Sequence, residues 1–378
     1  MAGIYLDHAA TTPIDPRVLE SMVPFFADVP ANPSSLHSAG AAAREAVELA
    51  RATIASVLGA DPEGVVFTSG GTESDNWAIR GLVSDGGSLI VSAVEHHAVL
   101  EPAQALARVG VRLVSAPVSH TGQAEPSEIG SRILNGCQLV SVMGANNETG
   151  VRQDVKAIGR VCAEKGVPLH VDAVQSAVYD PPHLRRDSVA AVSLSGHKLY
   201  GPKGVGALVF NRALHPKPLL LGGGQERGLR GGTLNVPGIV GLATALRIAF
   251  DERAAESARI DRIRNRFEPR VIQQVEDVEI VGSDAPRLPG HSLLIVRGVD
   301  AGALLMALDE RGVYASAGAA CSAGSTEPSH VLLAMGYSPE EARSAVRFTL
   351  GRWTSEEDVN TAADALAEAV AELRALRS

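Results

Sequence analysis

Cysteine is scarce. Only Cys137, Cys162 and Cys321 occur among 378 residues, an odd number with no close pair, which excludes a disulfide framework and a CxxC metal centre and suits a reducing cytoplasm. Positive charge is in the minority as well: 34 Lys and Arg against 43 Asp and Glu give a formal charge of -9. That balance argues against a broad cationic footprint for nucleic acid or an anionic membrane. No apolar run approaches the roughly 20 residues of a membrane span, and the opening MAGIYLDHAATTPIDP lacks the basic start and apolar stretch of a signal peptide. Neither export nor membrane insertion is expected. Glycine (38) and proline (21) are dispersed, and 45% apolar with 20% charged residues is the composition of a folded chain, not of a disordered or low-complexity one. The length allows one large domain, or a large and a smaller one sharing one architecture.

Short β-branched runs alternate with longer amphipathic segments from about Ala39 to Arg212, which predicts an α/β domain of parallel strands joined by crossover helices. Strands are expected at 64–69, 88–94, 111–115, 138–143, 167–172, 189–194 and 204–210, most of them continuous apolar runs suited to a sheet covered on both faces. Val47, Ala50, Ile54, Val57 and Leu58 fall at helical spacing over 39–58, with Gly59 as the stop. A long helical pattern over 237–274 leads to an α+β lobe with strands near 278–281, 292–296 and 345–350 and a helix over 301–311. Its final helix is expected to be capped by Thr354 with Glu357 reaching back. The expected division is a large α/β domain at 1–250 and a small α+β domain at 251–378.

Four clusters lie at or beyond predicted strand ends, where ligands collect in open α/β sheets. TSGGTESDN (68–76) runs from a strand through Gly-Gly into a helix beginning at Thr72, a turn that serves equally as a plain strand-to-helix connection or as a phosphate cradle. In PLHVDAVQS (168–176), Asp172 ends an apolar strand and Gln175 follows; the carboxylate is either a helix cap or a charge awaiting a partner. SLSGHKLYGPKGVG (193–206) places His197 and Lys198 directly after a strand. Lys198 and Asp172 together suit pyridoxal phosphate, with the amine forming a Schiff base and the carboxylate keeping the pyridine nitrogen protonated. A lysine of ordinary pKa near 10.4 is about a thousandfold short of free amine at neutral pH, a deficit of about 4 kcal/mol that such a site has to offset. The fourth cluster, YASAGAACSAGSTEPSH (314–330), sets Cys321 among Ala, Ser and Gly too small to pack a fixed core, which predicts a mobile loop and a reactive thiol. Cys137 and Cys162 read as packing residues.

The order and spacing of these motifs resemble the pyridoxal-phosphate cysteine desulfurases of the NifS and IscS type, within the class V aminotransferases. The resemblance also takes in YLDHAATTP (5–13), NPSSLH (32–37), VEHHAVL (94–100), NNETG (146–150), GGGQERGLRGGT (222–233) and VRFTLGRW (346–353). It implies a fold-type I transferase with a mostly parallel seven-stranded sheet and a smaller α+β domain. It implies Lys198 as the Schiff-base lysine, Asp172 as partner of the pyridine nitrogen, His96 as the ring stacked on the cofactor, and Gln175 and Asn147 near its phenolic oxygen. The phosphate falls to Gly71, Thr72, Ser195 and His197, with Thr233 reaching in from the second subunit of a homodimer. Asn32, Asn147 and Arg347 would hold the carboxylate of L-cysteine, and Cys321 would take up its sulfur as a persulfide for an acceptor protein. The reaction implied is L-cysteine to L-alanine; the alternatives are selenocysteine lyase or another class V aminotransferase or lyase. Ala319 stands where many relatives carry Ser, and the chain ends at Ser378 without the longer tail some members direct to a scaffold protein, which leaves the delivery partner open.

Overall fold

Apolar β-branched runs that repeat between helices must be covered on both faces, and that requirement organises the larger lobe. The computed structural model describes residues 3–318 and 327–376. Its main sheet has seven strands in the spatial order Val65–Thr68, Gly206–Phe210, Ala191–Ser195, Leu169–Asp172, Cys137–Ser141, Ser88–Ser92 and Arg112–Ala116. All neighbours run parallel except Gly206–Phe210, which is antiparallel to the strands on either side. Five of the seven are buried at every residue, whereas the edge strand Arg112–Ala116 exposes part of its length, as an edge can. All seven expected strands are present, with ends shifted by one to a few residues.

The helix Ser38–Leu58 ends where Gly59 adopts φ +64°, and a Cβ there would sit 1.8 Å from the His183 ring. Left-handed backbone and close approach both require glycine at that stop. The helix packs on the first half of Val236–Gln274, whose residues 236–246 belong to the core around the large sheet. Ile260, Ile263, Phe267 and Val271 of the same helix belong to a second core with Val359, Leu366 and Val370 of the last helix, Glu356–Ala375. One 39-residue helix thus spans both lobes.

The smaller lobe is a four-stranded antiparallel sheet in the order Ser316–Ala317, Ala345–Thr349, His291–Val296, Val278–Ile280. Two details depart from expectation. The last helix is capped one residue later than expected, by a reciprocal pair between Ser355 and Asp358, while the Thr354 hydroxyl accepts from Gly351 N at 2.9 Å. The chain start also joins this lobe: Ile4–Tyr5 pairs in parallel with Val313–Tyr314, and Leu6 is wholly buried in the second core.

The Gly-rich stretch 222–233 is anchored to the large sheet by a buried ion pair. Arg51 donates to both Glu226 oxygens, at 3.0 and 2.8 Å, and to Val65 O at 2.6 Å. Glu226 also accepts from Phe67 N at 2.9 Å. Removing one partner of such a pair leaves an uncompensated buried charge. Glu226→Ala is therefore expected to cost about 3–5 kcal/mol in urea unfolding, and a cost below about 1 kcal/mol, the range of a surface pair, would show that this ion pair does not anchor the stretch.

Candidate active site

The parallel strands direct their C-terminal ends to one edge of the sheet, and the turns that leave it enclose a cavity of about 280 Å³. Gly71, Thr72, His96, Asn147, Asp172, Gln175, Ser195, His197, Lys198 and Arg347 all line it. Residues from six separate sequence motifs thus meet at one place. Asn32 and Thr233 are not among its lining residues: both are exposed, and the Asn32 carboxamide accepts from Ser34 N at 2.9 Å. Cys321 lies outside the described residues.

Lys198 sits on the single turn Gly196–Lys198, immediately beyond the strand Ala191–Ser195. Its ammonium donates to Ala10 O at 2.8 Å and to Ala9 O, and the Gln175 amide donates to Ala9 O at 2.8 Å. The segment that supplies these carbonyls is held against the same turn, since Thr12 N and Oγ1 each reach His197 O at 2.9 Å. Asp172 ends the central strand Leu169–Asp172 and accepts from Val174 N at 2.9 Å. Burial raises its pKa to about 6, against the opposing pull of the Val174 N–H and the Lys198 charge.

Behind Asp172 lies a network that sequence reasoning did not assign. The fully buried His170 ring is in hydrogen-bond contact with Ser141 Oγ at 2.9 Å and Ser193 Oγ at 3.0 Å, and its Nε2 is 3.7 Å from Asp75. Burial drives its pKa down to about 3, so it is neutral. Asp75 is buried beside Asp172, and desolvation together with that neighbouring charge holds its pKa well above the ordinary value. Glu95 accepts at one oxygen from Ser92 Oγ and from Met143 N, while its other oxygen has no partner among the described residues. Burial lifts Glu95 to about 8. All three residues sit inside motifs quoted above, TSGGTESDN, VEHHAVL and HVDAVQS, but nothing in the sequence marks them as neighbours.

His96 caps the helix His97–Ala107, its Nδ1 accepting from Ala98 N at 3.0 Å. Burial, with Lys198 nearby, lowers its pKa to about 4, and burial does the same to His197. Both imidazoles are neutral at physiological pH. Arg347, 1% exposed, donates to Asn147 O at 2.8 Å and to Asp7 Oδ1 at 2.8 Å, and its Nε has no hydrogen-bond partner among the described residues.

The cavity suits a planar, phosphorylated aldehyde. The helix Gly71–Leu82 begins at Gly70 without a side-chain cap, leaving its N-terminal end for an anion. The floor there is cut close: a Cβ on Gly71 would come within 2.6 Å of Val174 Cγ2. A hydroxyl (Ser195), an imidazole (His197), a primary amine (Lys198) and a buried carboxylate (Asp172) complete the donor set.

A family model described as aminotransferase class-V matches residues 4–361. Cysteine desulfurase IscS of Dictyoglomus turgidum is 40% identical, over 99% of this chain and 96% of that protein. Among solved structures, a NifS-like protein superposes with a TM-score of 0.91 at 34% identity, covering 98% of this chain and all of that one. SspA in complex with cysteine does so with a TM-score of 0.80 at 35% identity, covering 93% and 99%.

The buried acids produce a checkable pH dependence. Glu95 has its folded pKa raised to about 8 from 4.5, so its favourable contribution is complete below the unfolded value and is lost as pH rises through the folded one. Glu95→Gln, a fixed mimic of the protonated form, should gain stability relative to wild type steadily from pH 4.5 to 8 and level off beyond. Urea unfolding of the cofactor-free protein at several pH values measures the difference, and a difference flat in pH would contradict the assignment.

Proposed function

This chain belongs to the class-V aminotransferase family, and we infer that it is a cysteine desulfurase, converting L-cysteine to L-alanine with pyridoxal 5'-phosphate as cofactor. The observation that carries this reading is the convergence of Lys198, Asp172, His96 and the Gly71 turn on one cavity. When bound, the cofactor supplies an electron sink for the carbon next to the substrate amine. Lys198 would hold the cofactor through its amine and, once released, take the proton from Cα. Asp172 would keep the proton on the pyridine nitrogen, its neighbours Asp75 and Glu95 staying protonated so that charge is concentrated on the one carboxylate that has a cation to face. Gly71, Thr72, Ser195 and His197 would hold the phosphate. His96 and Gln175 would orient the ring, and neutral His96 can accept or return a proton on the substrate.

Arg347 is our assignment for the substrate carboxylate, with Asn147 and Asn32 beside it. Its present partner Asp7 is a carboxylate at 2.8 Å, so the guanidinium is already set for an anion of that shape. Cys321 would attack the substrate sulfur as thiolate: an S–S bond forms on the enzyme, the Cβ–S bond breaks with its electron pair staying on the carbon fragment, and that fragment takes up a proton at Cβ and leaves as alanine. The persulfide then passes to an acceptor protein, for iron–sulfur cluster assembly or another thiolation. A homodimer would bring Thr233 of the exposed Gly-rich stretch to the other subunit's phosphate. The division into lobes would fall inside the helix Val236–Gln274, near residue 250.

Selenocysteine lyase or aminotransferase chemistry would need Lys198 and Asp172 but not Cys321. With Cys321→Ser, the protein should still take up the cofactor and bind L-cysteine, yet release alanine at least a hundredfold more slowly, because a hydroxyl provides almost no anion. Full alanine production by that variant, or persulfide mapped by mass spectrometry to Cys137 or Cys162, would contradict the reading. Dimerisation is checked by sedimentation during turnover: an active species of dimer mass is expected, and a fully active monomer would remove the role given to Thr233.

A further inference from the structure

A second cavity, of about 540 Å³, lies against the wall that bounds the cofactor cavity. Gly144 and Ser176 belong to its lining, and each directly follows a residue, Met143 and Gln175, that lines the first. The wall between them is hydrogen-bonded backbone: Gly144 N donates to Asp172 O at 2.8 Å, and Gly144 O accepts from the N–H of Gln153, another lining residue, at 3.1 Å. Such a wall is preformed, as binding cavities usually are.

Charged side chains of both signs line this cavity in equal number: Arg152, Lys156 and Arg186 against Asp154, Asp180 and Asp187. Arg152 is paired with Asp180, whose charge also acts on Arg186, and Arg186 donates to the two Asp187 oxygens at 2.9 and 3.0 Å. Asp154 caps the helix Val155–Glu164 by accepting from Ala157 N at 2.9 Å. That leaves the Lys156 ammonium, which has no ion pair or hydrogen bond among the described residues. The Ser176 hydroxyl is without a partner as well, in a residue only 3% exposed. A buried hydroxyl left unpaired costs free energy, which a ligand bonded to it would recover.

The balance of charge selects the class of ligand. Three cations among three carboxylates give little net field to hold a lone anion or a lone cation, and among the described residues no group of three His, Cys, Asp or Glu is placed to hold a metal ion. A small molecule that carries both charges is suited to such a lining, because each of its ends finds an opposite partner. We propose that this cavity is a second binding site, for a free α-amino acid, whose carboxylate is held by Lys156 and the Ser176 hydroxyl and whose ammonium is held by Asp180. Asp180 is exposed, so its carboxylate can take a second cation beside Arg152. L-cysteine and L-alanine, the substrate and product of the reaction inferred above, are both of this class, and to that extent the inference rests on that reading.

The test uses the protein loaded with pyridoxal 5'-phosphate and then reduced with borohydride, so that an added amino acid no longer reacts in the first cavity. Equilibrium dialysis against radiolabelled L-alanine, and separately L-cysteine, should show saturable binding, and the two arms distinguish product from substrate as the source of the ligand. Lys156→Ala should weaken that binding about tenfold and Ser176→Ala about fivefold, the range of a lost hydrogen bond to a charged group. Lys156→Arg should stay within about threefold of wild type. Lys156 is exposed, so its variants carry the test if Ser176→Ala does not fold. L-lactate, which has a hydroxyl in place of the ammonium, and inorganic phosphate should each bind at least tenfold more weakly than L-alanine. Absence of saturable binding of either amino acid, binding indifferent to Lys156→Ala, or phosphate or lactate held as tightly as alanine would overturn the proposal. The two readings fail separately: a cofactor that borohydride does not fix on Lys198 contradicts the account of the first cavity, while the dependence of alanine binding on Lys156 is measured all the same.

Discussion

Both lobes meet at the cavity on one strip of backbone near residues 7–12, held from two sides. The large lobe reaches it through Lys198 and Gln175, which donate to the Ala9 and Ala10 carbonyls, and through the His197 carbonyl, which accepts from Thr12. The small lobe reaches it through Arg347 on Asp7 and through Thr349, whose hydroxyl accepts from Ala9 N at 2.9 Å. The strip is short, so Lys198 of one lobe and Arg347 of the other are held in fixed relation. Precision of that kind decides how much of a reaction's barrier a site can remove.

A second constraint is charge. Asp75, Glu95 and Asp172 are all fully buried, and three carboxylates so close cannot all ionise. Of the three, Asp172 is the one that the Lys198 charge faces, so the negative charge settles there, while the acids behind it are held neutral among serine hydroxyls and a neutral His170. The network turns a costly burial into a directed one: a carboxylate at the end of a strand, aimed into a cavity.

The strands and the long helices were legible because their apolar periodicity is strong, and the meeting of Lys198 and Asp172 at one cavity was legible because both stand at the ends of apolar runs that otherwise exclude charge. The cap of the last helix was misplaced by one residue, since Thr354 and Ser355 offer the same hydroxyl chemistry and only the Gly351 turn decides between them. The pairing of Ile4–Tyr5 with Val313–Tyr314 was illegible, because a two-residue strand carries no periodicity and its partner lies about 300 positions away. The acids behind Asp172 escaped for a related reason: each sits singly on a different element, and only the sheet order brings them together. Cys321 was singled out from the smallness of its neighbours, and it lies outside the described residues.

The central claim is that the Lys198 amine is the group that carries the cofactor. Borohydride reduction of the protein loaded with pyridoxal 5'-phosphate, followed by proteolysis and peptide mass spectrometry, tests it directly. The account predicts one modified peptide, with the reduced cofactor on Lys198 and the visible absorbance lost in step; label on Lys203 or any other lysine, with Lys198 unmodified, would contradict it.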